Sequence, residues 1–166
     1  DYEENQFSGQ GPGKKGGVWE DNSQTALLWF LKLGFYDYET MKSDVLHLLI
    51  ENIENQHPRK GSIRQSQQQK SLAVGFLGVS VLLPVLTTHG ANETAYDLLL
   101  QDTIPSWLFE VKAGATTTWE RWNSYDPENG FGDSEMNSYN HYAYGAIVEW
   151  LYAYVLGIQV DSNQPG

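Results

Sequence analysis

Apolar residues recur at helical spacing along most of the chain. Ala26, Leu27, Phe30 and Leu31 repeat at i, i+3 and i+4, Asn22 or Ser23 can cap the start, and Gly34 stands near the end, which predicts a first helix. A second, from about Tyr38 to Gln56, puts Met41, Val45, Leu48, Leu49, Asn52 and Ile53 on one stripe and leaves Lys42, Asp44, Glu51 and Glu54 for solvent. Leu72 to Leu86 is nearly all apolar. Its length, with Gly75 and Gly78 permitting close approach, predicts a buried helix whose end Pro84 bends or shortens. Gly90 closes that helix, and Ala91 or Asn92 opens a fourth carrying Ala95, Tyr96, Leu98, Leu99 and Leu100. Pro105 starts a fifth through Trp107, Leu108 and Val111, ended by Gly114. A last helix, about Asn140 to Leu156, carries Tyr142, Ala146, Ile147, Trp150, Leu151, Tyr154 and Val155. No run reads as a strand. Six helices in three successive hairpins make an all-α architecture.

Three stretches break the periodicity. Residues 1–17 are polar and Gly-rich and read as a flexible lead-in, and 159–166 as a tail, which leaves 18–158 as the folded part. Gln65-Ser66-Gln67-Gln68-Gln69 reads as an irregular connection. The third, Ala115 to Ser138, is too polar for a core element and too rich in Trp for an inert linker; long loops of this kind are usually functional or disordered. A start at Asp1, with neither a basic nor an apolar leader in residues 1–10, reads as a processed or truncated end with no targeting signal.

Composition narrows the partners. The 166 residues suit one domain, and ten Lys and Arg against 21 Asp and Glu leave a net charge of −11. That charge disfavours nucleic acid and anionic membranes, both of which recruit Lys and Arg. There is no cysteine, hence no disulfide framework or Cys-based zinc site. The apolar run is too short for the roughly 20 residues of a membrane-crossing helix, so the chain is expected to be soluble. Six Trp and ten Tyr beside many amides and carboxylates suit carbohydrate, whose C–H faces pack on aromatic rings and whose hydroxyls pair with such groups. The same residues equally suit an ordinary core rich in large side chains.

Most formal motifs carry little. Gly11-Pro12-Gly13-Lys14-Lys15-Gly16 matches a dinucleotide fingerprint but no strand precedes it. Ser80 sits inside the apolar run, where a nucleophile would be inaccessible. His47 and Glu51 stand at i, i+4 without a third ligand and read as a surface pair, so neither metal nor cofactor is expected. Asn92-Glu93-Thr94 is a glycosylation sequon in a secreted eukaryotic context and otherwise a helix cap. Gly114-Ala115-Thr116-Thr117-Thr118-Trp119-Glu120-Arg121-Trp122, followed by Asn137-Ser138-Tyr139-Asn140-His141-Tyr142, says more. Glu120 stands between two indoles in a loop, where burial raises a carboxyl pKa and Arg121 lowers it. It suits a general base, or a loop residue salt-bridged to Arg121. His141 suits a hydrogen-bond donor to a ligand, or a cap on its own helix.

These two blocks, with Asp133, Gly145-Ala146 and Glu149-Trp150-Leu151, resemble the carboxy-terminal half of the catalytic domain of bacterial and fungal α-L-rhamnosidases, glycoside hydrolase family 78. Upstream, Gln24-Thr25, Gly75-Phe76-Leu77-Gly78, Leu82-Leu83-Pro84-Val85-Leu86, Leu99-Leu100-Gln101-Asp102-Thr103 and Pro105-Ser106-Trp107 agree, so the resemblance covers residues 18–158. It implies about half of an (α/α) barrel of six helical hairpins and an inverting hydrolysis of terminal α-L-rhamnosides. Glu120 would be the general base, with Trp119, Trp122, Asn140 and His141 holding the sugar. The partner would be a rhamnoside or rhamnose-containing oligosaccharide. Inversion needs a second carboxyl about 6.5 to 9.5 Å away as general acid. The family's acid lies in an Asp-Glu-Arg-x-Gly-Trp motif that this chain does not contain. The resemblance therefore implies a fragment that is inactive alone, with apolar half-barrel faces that promote self-association. A reading from another class is a non-catalytic helical module that binds carbohydrate or protein.

Overall fold

Ser23 and Gly34 bracket the first element of the computed structural model, which describes residues 23–34, 36, 39–54, 69–161, 163 and 164. Helix α1 (Gln24–Leu33) begins where the Ser23 hydroxyl accepts from the Ala26 amide at 3.2 Å, and ends at Gly34, whose φ of 68° suits glycine. Leu27, Leu28, Phe30 and Leu31 are buried. Helix α2 (Glu39–Ile53) buries Val45, Leu49 and Ile53 of the expected stripe and leaves Met41, Leu48 and Asn52 half-buried. Helix α3 (Phe76–Thr88) is central and packs against α1, helix α4 (Asn92–Leu100) and the last helical segment. The lead-in 1–17 and residues 65–68 of the glutamine-rich connection lie outside the described residues.

The third helix differs from the expectation in three ways. It starts at Phe76, because the backbone of Ser71 to Val74 is bonded to side chains instead of to a helical turn. The Gln24 side chain donates to the Ser71 oxygen at 3.0 Å and accepts from the Ala73 amide at 2.6 Å, and the Trp122 indole donates to the Val74 oxygen at 2.9 Å. Leu72 and Val74 are buried in this extended stretch. The helix also runs four residues past Pro84, which costs little where the orphaned carbonyl belongs to exposed Ser80. Ser80 is thus accessible, contrary to its place in an apolar run.

The turn through Gly90, with φ of 84°, leads into α4, where Ala91 occupies the cap position and Asn92 makes no side-chain cap bond. Helix α5 (Trp107–Lys112) is capped by the Ser106 hydroxyl, which accepts from the Phe109 amide at 3.1 Å; Pro105 lies just before that cap. Trp107 and Glu110 face inward, while Val111 is exposed. In the following loop the chain makes a two-residue antiparallel pair, β1 (Tyr125–Asp126) with β2 (Gly130–Phe131), where no strand was expected. The last helical segment starts at Ala143 and changes pitch. A 3₁₀ turn (Ala143–Ala146) leads to helix α6 (Ile147–Trp150), then a π turn (Leu151–Val155). Trp150 anchors it, buried and donating to the Thr87 hydroxyl at 2.9 Å. One core unites these elements. No helix among the described residues is long and apolar enough to cross a membrane.

Candidate active site

The two blocks singled out in the sequence run side by side. The Glu120 amide donates to the Ser138 oxygen at 2.8 Å and the His141 amide to the Thr118 oxygen at 2.9 Å. The hydroxyls of Thr117 and Thr118 add bonds to the oxygens of Tyr139 and His141. Glu120 and His141 are therefore carried on cross-linked segments, 18 to 23 residues apart in sequence.

Glu120 is half-buried, and its Oε2 accepts from the Ser138 amide at 2.7 Å. Oε1 has no protein partner among the described residues. One oxygen is anchored and the other is free. Arg121, the alternative partner, turns away and donates to the Glu135 oxygen at 2.9 Å, so among the described residues no ion pair holds the carboxylate.

His141 accepts a bond from its own helical segment. The Ala143 amide donates to Nδ1 at 3.3 Å, so the neutral ring carries its proton on Nε2, which has no protein partner among the described residues. Its plane lies within 10° of Phe76 at 4.6 Å and within 9° of Tyr142 at 5.3 Å. Aromatic neighbours occupy the ring faces, leaving the Nε2 edge for a ligand. Asn140 is exposed and its side-chain amide is unbonded among the described residues.

The tryptophans beside Glu120 point inward. Trp122 is 4% exposed, donates to Val74, stacks on Tyr144 at 3.8 Å and meets the edge of Trp107 at 5.4 Å. Trp119 is 5% exposed and lies edge-on to Tyr125 and Tyr139. Both offer little free ring face. Ser124, fully buried, ties the loop: its carbonyl accepts from Gly132, Asn137 and Tyr139, and its hydroxyl from the Arg121 amide.

Two titrating groups went unseen in the sequence. Glu110 is 3% exposed and accepts from the Trp119 amide at 3.3 Å; burial pushes its pKa from 4.5 up to about 7, with that amide opposing. The Tyr144 phenol is pushed up to about 12, first by burial and then by the charges of Glu110 and Glu120. It stands in the field of both carboxylates. Only one sequence signal pointed to Glu110: it lies at i+3 from Trp107, the same inward face as the residue after it would claim. Away from the loop, His47 and Glu51 form the expected surface pair at 3.2 Å. Among the described residues no three His, Cys, Asp or Glu stand where they could hold a metal.

Residues 10–155 match the sequence model of a family described as the bacterial alpha-L-rhamnosidase 6 hairpin glycosidase domain. The chain is 55% identical over 87 residues to an α-L-rhamnosidase of Streptomyces avermitilis, covering 52% of this chain and 8% of that protein. It is 51% identical over 88 residues to an α-L-rhamnosidase of an Alteromonas species, covering 53% and 10%. Among solved structures it resembles the Streptomyces avermitilis enzyme complexed with L-rhamnose, with a TM-score of 0.73 and 39% identity over 84% of this chain and 12% of that one. The native Aspergillus terreus α-L-rhamnosidase matches with a TM-score of 0.75 and 28% identity over 92% and 16%. The matches thus span about a tenth of the length of these curated relatives.

Proposed function

Because the chain belongs to the bacterial α-L-rhamnosidase six-hairpin glycosidase domain family, its helices forming part of such a barrel, we propose that it carries the general-base side of a glycosidase that removes terminal α-L-rhamnose with inversion. Glu120 is the base. The supporting observation is its carboxylate, held at Oε2 by the Ser138 amide with Oε1 left for water. Fixing one oxygen sets the direction of the other, and such orientation is a large part of what a catalytic group contributes.

His141 donates from Nε2 to a sugar hydroxyl, and Asn140 offers both a donor and an acceptor beside it. Trp119 and Trp122 serve the sugar by shaping the wall behind Glu120. The general acid must stand across the sugar, about 6.5 to 9.5 Å from Glu120, to leave room for the attacking water. Two carboxyls within the chain suit that task poorly. Asp126 is held below the usual carboxylate range, chiefly by the Asn129 amide and then by the Glu128 backbone, and Glu110 is shut away from any leaving group. We therefore assign the acid to residues outside this chain, and expect the 166-residue chain alone to turn over very little.

The test is Glu120→Gln in a polypeptide that carries this chain together with the rest of a six-hairpin barrel. Turnover of an aryl α-L-rhamnoside should fall by about 10²–10⁴-fold while L-rhamnose still binds. Proton NMR of the first product should show the β anomer. Unchanged turnover, or a product that keeps the α configuration, rules out this mechanism.

A further inference from the structure

Glu110 is a carboxyl that the proposed chemistry does not use, yet it is almost completely buried, and its Oε1 has no partner among the described residues. Among the described residues no cation compensates: Lys112, two residues on, reaches Asp102, and Arg121 reaches the Glu135 oxygen. An unpaired buried carboxyl costs free energy, so its retention calls for a role.

Its contacts show where that role lies. The backbone oxygen of Glu110 accepts from the Ala115 amide at 3.0 Å, beyond the turn at Gly114, whose φ is 89°. Its side-chain Oε2 then accepts from the Trp119 amide, nine residues away and directly before Glu120. Both ends of the connecting loop are therefore tied to one residue of α5. The next amide, that of Glu120, crosses to Ser138, and the Ser138 amide returns to the Glu120 carboxylate. From α5 to the base run three hydrogen bonds, joined by the chain between Trp119 and Glu120.

We propose that Glu110 is a positioning residue for Glu120: it holds the Trp119 amide and so sets the register in which the Glu120 carboxylate meets Ser138. The catalytic consequence rests on the function proposed above; the structural one does not. Glu110→Gln keeps an acceptor oxygen in place, and Glu110→Leu removes it at similar volume.

In the 166-residue chain itself, amide exchange followed by NMR should show Trp119 protected in the parent and in Glu110→Gln. In Glu110→Leu it should exchange at least about tenfold faster, the Ser138 amide should follow, and core amides such as that of Leu82 should keep their rates. A second measurement needs no variant: the Trp119 amide proton should move downfield as the Glu110 carboxyl, observed through its own carbon resonance, ionises. Where the barrel is complete, Glu110→Leu should lower kcat by about ten- to a hundredfold with KM nearly unchanged, and Glu110→Gln should restore it.

Trp119 protection unaltered in Glu110→Leu, or a Trp119 proton indifferent to that ionisation, overturns the proposal. So does a loss confined to Trp119 that leaves Ser138 as it was. Failure of Glu120→Gln to slow turnover would instead strike the hydrolase reading and leave these exchange results to judge Glu110.

Discussion

The indole nitrogens of Trp29, Trp107, Trp122 and Trp150 donate to Leu77, Tyr144, Val74 and Thr87, each on a segment far away in sequence. Trp107, Trp122 and Trp150 bury a large ring and also satisfy its N–H, so each is a structural tie. Glu110 shows the opposite case, a polar group whose burial has a pH signature. Its folded pKa of about 7 lies above the ordinary 4.5, so the folded state holds the proton more tightly than the unfolded chain does. The stability it confers is complete below about 4.5, declines as pH rises towards 7, and is flat beyond. At about 1.4 kcal/mol per pKa unit the decline is at most about 3.5 kcal/mol. Urea titrations at pH 5 and pH 8 should show it in the parent, and Glu110→Gln should lack that part of the slope.

At the scale of elements, the contact of α1 with α3 depends on the absence of a side chain. A Cβ on Gly78 would stand 2.5 Å from the Thr25 hydroxyl and 2.8 Å from a Val74 methyl, so the helices could not stay where they are. Gly78→Ala should therefore destabilise by about 1–3 kcal/mol despite the better helix propensity of alanine. Chemical denaturation would show it as a lower midpoint; a midpoint equal to or above the parent's would mean that the helices have room to part. The stretch from Ser71 to Val74 borders this contact, and its extended form has the same origin. Once Gln24 and Trp122 satisfy its backbone, a helical turn there would give up those bonds.

At the scale of the whole molecule, a large share of apolar surface is left open. Leu77, Val111, Leu156, Ile158 and Val160 are each more than 60% exposed, on a chain whose relatives are far longer. We propose that the isolated chain self-associates through such faces. A charge of −11 opposes this, so association should strengthen with added salt. Sedimentation velocity across the micromolar range, at low and high salt, checks it; a single monomeric species in both would rule it out.

Helix positions were legible because they depend on neighbours three and four residues apart. Ser23 and Gly34 bound α1, and Val45, Leu49 and Ile53 line α2, as their spacing requires. The two blocks around Glu120 and His141 were legible as residue types, and their resemblance to the family led to the right relatives. What spacing could not supply was the choice between equivalent local options. From Trp107, positions 110 and 111 fit the inward face about equally; hydrophobicity favours Val111, but tertiary packing buries Glu110 against the Trp119 amide. Likewise an apolar run is compatible with helix or extended chain, and distant Gln24 and Trp122 decided for Ser71 to Val74. Periodicity is a property of adjacent residues, whereas the partner that satisfies a buried polar group comes from elsewhere in the chain, so only the folded molecule could assign it.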